Sequence, residues 1–109
     1  SRAEIMARAV RDHLADALST LPGLLADTDP ASVHFYMANM SNMRKELFPE
    51  LVSAYEIWSA TGDSADLRAV AERARSHWQS LATEILEIFK TQQAACQQSL
   101  VRAIENRTL

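Results

Sequence analysis

The stretch from residue 64 to the last residue, Leu109, holds neither glycine nor proline, and this constrains the fold more than any other feature. Its apolar residues recur every three or four positions, which predicts a helix with one packed face. These positions are Leu67, Ala71, Ala74, Trp78, Leu81, Ile85 and Ile88. Gln92 and Gln93 then stand where apolar residues are due. Either one helix of ~60 Å continues, or a turn lies near residues 91–93, and the sequence favours the turn.

The first third of the chain predicts one helix followed by a linker. Ser1 and Glu4 match a helix-start pattern in which the serine side chain accepts a backbone hydrogen bond. Pro22 and Gly23 are expected to end this helix at about residue 20. Residues 22–29 then form the linker.

The middle third predicts two more helices. Asp29 and Pro30 suit the cap and the first position of a helix that runs to about residue 47. Pro49 cannot continue a straight helix, so a second helix is expected from there to about residue 60. Gly62 ends it, and Asp63 or Ser64 caps the next. The sequence therefore predicts a single all-α domain over residues 1–109, a bundle of four to six helices.

Composition and charge narrow the classes of function. Hydrophobic residues make up 48% and charged residues 23% of the chain, which is typical of a globular domain. The net charge of −3 argues against binding to nucleic acid phosphates by this domain itself. The single cysteine, Cys96, favours a reducing, cytoplasmic location. We find no apolar run long enough to cross a membrane and no signal-peptide pattern.

No catalytic or metal-binding pattern stands out. His13, His34 and His77 are expected on three different helices, without the spacing of a metal site. Cys96 and His77 are too far apart on a straight helix to act as a nucleophile and base. The acidic residues are scattered and read as solvated faces. We therefore expect no enzyme activity, no metal and no cofactor.

The stretch HFYMANMSNMRKELFPEL, residues 34–51, is rich in aromatic residues and methionine. Methionine fills irregular space and also suits permissive binding surfaces, so this stretch is either helix core or the wall of a pocket. Together with three aromatic residues further along, it supplies the candidate lining of a ligand pocket. The candidates are Phe35, Tyr36, Met40, Met43, Tyr55, Trp58 and Trp78.

Three segments resemble the C-terminal domain of tetracycline-repressor-like (TetR family) transcriptional regulators. They are SRAEIMARAVRDHLADAL at the start, DTDPASVHFYMANM with its Asp-Pro helix start, and LFPELVSAYEIW with its PEL element. The resemblance covers nearly the whole chain, with the last two helices falling within residues 64–107. The helix-turn-helix head of that family is not in the sequence and would lie before Ser1.

The resemblance implies a sensor and dimerisation domain. An apolar small molecule would bind among the central helices and shift the first helix, and with it the DNA-binding heads. The last two helices of two subunits would form a four-helix bundle in a homodimer. The residues expected at that interface are Ala74, Trp78, Leu81, Ile85, Ile88, Leu100 and Ile104.

Two other functions remain open on the sequence alone. The chain is alternatively a helical protein–protein interaction module that binds a partner helix along the apolar face of residues 64–107. A small all-α enzyme is the third possibility, although no polar residue stands out as catalytic.

Overall fold

In the computed structural model, which describes residues 1–91 and 96–109, every regular element is helical, and the predicted all-α fold is confirmed. The elements are α1 (Arg2–Ala15), a π-helical turn (Asp16–Thr20), α2 (Leu21–Ala26), α3 (Ala31–Ala38), α4 (Asn42–Leu47), α5 (Pro49–Thr61), α6 (Ala65–Thr91) and α7 (Cys96–Asn106). Because α1, the π turn and α2 form one unbroken run, the seven α-helical segments amount to six helices.

The prediction that Pro22 and Gly23 end the first helix is wrong, because the helical path continues to Ala26. The π turn makes this possible. The Leu21 N–H donates to the carbonyl of Asp16, five residues back, so the hydrogen-bond register changes just before Pro22. Pro22 then occupies the first turn of a new α-helical segment, where its missing N–H is tolerated.

The helix predicted from Pro30 to residue 47 is in fact two helices. Asp29 does cap its start, since its side chain accepts the Ala31 N–H at 2.9 Å. The helix nevertheless ends at Ala38, and Ser41 starts α4 by accepting the Arg44 N–H at 3.3 Å. The apolar spacing of the methionines continues through the break and hid this serine cap.

The predicted boundaries of the following helices are confirmed. Phe48 leaves the helical conformation, and α5 begins at Pro49. Gly62 ends α5 with a positive φ of 75°, which costs a glycine little. The Asp63 side chain accepts the Ala65 N–H at 3.0 Å and so caps α6.

The described residues of the 64–107 stretch, 64–91 and 96–107, form two helices, as the sequence favoured. α6 runs to Thr91 and α7 starts at Cys96, while Gln92 and Gln93, where the turn was expected, lie outside the described residues. The helices are antiparallel, because the end of α7 returns to the middle of α6. There Arg107 bonds Glu84 at 2.9 Å and its carbonyl accepts from His77 at 2.7 Å.

The core lies between α1, α6 and α7, with α5 covering another side of α6. The molecule is elongated, with extents of 48 × 21 × 17 Å. Trp78 in the middle of α6 is completely buried and packs against Phe48. Over the part of the chain that the structure describes, no helix is both long and apolar enough to span a membrane.

The seven residues expected at a dimer interface are all buried in this single-chain core. They are Ala74, Trp78, Leu81, Ile85, Ile88, Leu100 and Ile104. The apolar face of α6 is therefore covered by helices of the same chain. A second copy or a partner helix would therefore contact these residues only if the covering helices moved.

Candidate functional site

The seven candidate pocket residues lie in separate parts of the molecule. Trp78 and Met40 are core residues, whereas Phe35 is 71% exposed. Tyr36, Met43, Tyr55 and Trp58 are half-buried. Tyr36 belongs to a polar cluster and Trp58 lines a surface groove, so these residues fall into two different sites.

The first site is a polar cluster of four side chains, the buried His13 and the partly buried Asp16, Tyr36 and Arg44. Arg44 of α4 is at its centre and bonds the carboxylate of Asp16 on the π turn. The Tyr36 hydroxyl donates to the same carboxylate at 2.7 Å, and Arg44 approaches that hydroxyl at 3.2 Å. The cluster thus ties α1, the π turn, α3 and α4 together.

His13 is the most buried member of the polar cluster, with 1% of its surface exposed. Its ring stacks on Trp78 at 4.7 Å and meets Phe48 edge-on at 5.2 Å. Nε2 donates to the Arg44 carbonyl at 2.9 Å, and Nδ1 accepts from the Arg44 guanidinium at 3.3 Å. These roles require the neutral imidazole protonated on Nε2.

The surroundings fix the protonation states of the polar cluster. Burial, and then the charge of Arg44, lower the pKa of His13 from 6.5 to about 4. Burial, and then the hydrogen bond to Asp16, raise the pKa of Tyr36 well above its usual value. At neutral pH both residues are therefore uncharged, and the Tyr36 proton is held by a carboxylate.

We interpret the polar cluster as a feature that stabilises the fold. Except for Arg44 Nε, which is buried without a hydrogen-bond partner, its polar groups bond to one another or to the backbone, and neither the void nor the groove described below is lined by His13, Asp16 or Arg44. The sequence analysis treated His13 and Asp16 as unrelated surface or half-buried residues. Their three-residue spacing on one helical run was the available signal, but Tyr36 and Arg44 join them only through tertiary packing.

The second site is a surface groove, here called the aromatic groove, between the α2–α3 region and the α5–α6 turn. It has a volume of about 450 Å³. His34 of α3 and Trp58 of α5 form its wall, with ring centroids 4.9 Å apart. His34 Nδ1 is fixed by the Tyr55 hydroxyl at 2.7 Å. Leu24, Leu25, Val33 and Leu67 provide its apolar part.

The polar rim of the aromatic groove is held by local hydrogen bonds. Asp27 accepts the Asp29 N–H at 2.9 Å and the Ser32 hydroxyl at 2.6 Å, which orders the α2–α3 loop. On the other side, Arg68 donates to the Leu25 carbonyl at 3.1 Å and bridges α6 to the end of α2. The groove is therefore framed before any ligand binds.

A small apolar space of about 10 Å³, here called the void, adjoins the aromatic groove. Leu24, Leu25, Val33 and Leu67 border both spaces, and the wall of the void is apolar throughout. The sequence analysis named Trp58 as a ligand residue but none of these four. They look like ordinary core positions, and only the packing of α2 against α3 and α6 brings them to a surface.

Cys96 and His77 do not form a catalytic pair in the part of the chain that the structure describes. Cys96 is buried, and His77 bonds the carbonyl of Arg107. Across residues 1–91 and 96–109, no three histidine, cysteine or acidic side chains group as metal ligands.

The fold and these sites define a small all-α domain with a polar cluster inside and an aromatic groove on its surface. Residues 1–107 match the C-terminal domain of DUF6866, described as a family of unknown function, and the chain belongs to this family. No curated protein and no solved structure matches the chain.

Proposed function

We propose that the chain is a ligand-binding domain whose aromatic groove takes a small, mainly apolar molecule. The observation that carries the proposal is the wall formed by His34 and Trp58 beside an apolar surface. The groove volume of about 450 Å³ falls within the range of ~300–1,000 Å³ usual for small-molecule sites. An aromatic or branched apolar ligand would bury its surface against Trp58 and the leucines.

The two tryptophans allow a direct test with indole as the probe. Trp58 lies at the groove and Trp78 is fully buried, so the two indole N–H signals in a ¹H–¹⁵N spectrum should respond differently. We expect the Trp58 signal to shift in a saturable way and the Trp78 signal to stay in place. Trp58→Phe assigns the signals and should weaken binding.

A matched control comes from the same helix as His34. Phe35 is highly exposed and does not line the groove, so Phe35→Ser should leave indole binding unchanged. The absence of any Trp58 shift at millimolar indole, or equal shifts of both tryptophans, would refute the proposal.

We also propose that the ligand acts on α1, as a sensor domain of a TetR-like regulator would require. Support comes from the unbroken run of α1, the π turn and α2, since Leu24 and Leu25 of α2 line the groove. A ligand that prefers one position of α2 would shift the population of α1 orientations. Amide signals along α1 should then move with indole, and their constancy would contradict this step.

The second candidate is a protein-interaction module, which the exposed side of α6 favours. Leu86 is 59% and Phe89 is 54% exposed, one helical turn apart. If this surface joins two copies, sedimentation should show a dimer that Leu86→Ser and Phe89→Ser together dissociate. A monomer at high concentration would argue against it.

A further inference from the structure

We infer that the aromatic groove and the void beside it are two parts of one binding site. This inference rests on the proposed function. The ligand is an amphiphile whose apolar end group, about the size of a methyl, inserts past Leu24 and Leu25 while its polar end stays at the groove rim. The inference is supported by four apolar residues that border both spaces, Leu24, Leu25, Val33 and Leu67.

The small volume of the void and its apolar wall determine which end group fits. A space of about 10 Å³ accepts one small group and no more without movement of its walls. Tyr36 borders the void, but its hydroxyl already donates to Asp16 at 2.7 Å. Because the wall is apolar throughout, a polar end group would lose its hydrogen bonds to water without replacement.

The cover of the void is suited to opening. Leu24 and Leu25 are only partly buried and lie on α2, the last six residues of the first helical run. Such side chains change rotamer faster than a packed core residue does. Leu67, in contrast, is buried on the long helix α6 and forms a fixed edge. Insertion therefore displaces the two leucines and leaves α6 in place.

Ala71 offers a way to fill the void without touching the groove. It borders the void but does not line the groove. The larger side chain in Ala71→Val should therefore fill the void and leave the groove unchanged. Ala69 is an exposed position on the same helix, and Ala69→Val is the matched control for the lower helix propensity of valine.

The probes are phenol and 4-methylphenol, compared by chemical-shift titration of the Trp58 indole. Burying one methyl is worth roughly fourfold in affinity, or ~0.8 kcal/mol, so 4-methylphenol should bind about fourfold more tightly. Ala71→Val should abolish this advantage while phenol binds as before. Ala69→Val should preserve it.

A second variant, which makes the void larger, keeps the inference testable if Ala71→Val does not fold. Ala71→Gly enlarges the void, with Ala69→Gly as its control for helix propensity. It should raise the affinity for 4-ethylphenol relative to 4-methylphenol by a few-fold.

The outcomes separate the two proposals. If phenol binds at Trp58 but the methyl advantage is unaffected by changes at Ala71, the inference of a joined site is wrong and the groove remains a site. If neither phenol nor indole shifts the Trp58 signal, the proposed function itself fails.

Discussion

The molecule contains two histidine–tryptophan pairs with similar spacing and different surroundings. His13 and Trp78 stack at 4.7 Å in the core, with an interplanar angle of 17°. His34 and Trp58 lie 4.9 Å apart at the surface, tilted by 42°. Each histidine is also bonded to an oxygen, the Arg44 carbonyl in one case and the Tyr55 hydroxyl in the other.

The comparison shows that burial decides what such a pair contributes. Around His13 and Trp78 every face is covered, so the pair stabilises the fold and has no surface to offer a ligand. His34 and Trp58 are held by similar contacts but border the open groove. The same residue types thus form core in one place and the wall of an open groove in the other.

Truncating each tryptophan should separate the two pairs most strongly. Trp78→Ala removes a fully buried ring and should cost ~3–5 kcal/mol of the free energy of unfolding, if the protein still folds. Urea unfolding followed by circular dichroism measures this loss. A cost below ~1 kcal/mol would show that Trp78 is not close-packed.

Acid should act on the buried pair. The pKa of His13 is lowered from 6.5 to about 4, so the unfolded chain binds the proton more readily than the folded one. The stabilising effect of a neutral His13 is therefore complete above pH 6.5 and is lost as the pH falls toward 4, by at most ~3 kcal/mol.

His13→Gln is the control for the acid effect. The variant should be less stable at neutral pH, but its stability should fall less steeply between these pH values. Burial also lowers the pKa of His77, which adds a smaller loss of the same sign, and His77→Gln removes it. A parallel pH dependence in the wild type and His13→Gln would contradict the assignment.

Removing the arginine at the centre of the polar cluster should have the next largest effect. Arg44→Met leaves Asp16 and His13 without a charged donor and should cost ~2 kcal/mol. Arg73→Met, which breaks an exposed pair with Glu50, should cost less than ~1 kcal/mol. Equal costs in urea unfolding would mean that the polar cluster stabilises no more than a surface pair.

The smallest effect on stability is expected at the surface pair. Trp58→Ala should change the free energy of unfolding by about 1 kcal/mol or less, because the ring is only half-buried. Indole binding should nevertheless be lost. A variant that is strongly destabilised would place Trp58 with the core pair instead.

The helix-rich fold was readable from the sequence because local signals agreed with it. The spacing from Leu67 to Ile88 and the caps at Asp29 and Asp63 each depend on neighbouring residues only. The break between α3 and α4 was not predicted, because the apolar spacing continues through it and the Ser41 cap is only one local signal. The sites were harder to predict from the sequence. The polar cluster joins His13 to Arg44, which is 31 residues away, and sequence spacing does not report such contacts.

The predicted dimer residues show a related limit of reasoning from sequence. A periodic apolar face shows that a helix is covered but not whether the cover comes from the same chain or another. Here α1 and α7 cover α6.

The π turn between α1 and α2 has a consequence for how the chain can vary in length. Removing one residue from an ordinary α-helix rotates everything beyond it by ~100°, which would turn His13 and Leu21 onto unrelated faces. A π turn holds one residue more than an α turn. Loss of the exposed Ser19 would therefore convert the turn to regular helix and keep both faces in phase. Chains one residue shorter at this point should conserve the core, which makes the segment a natural place for a length change.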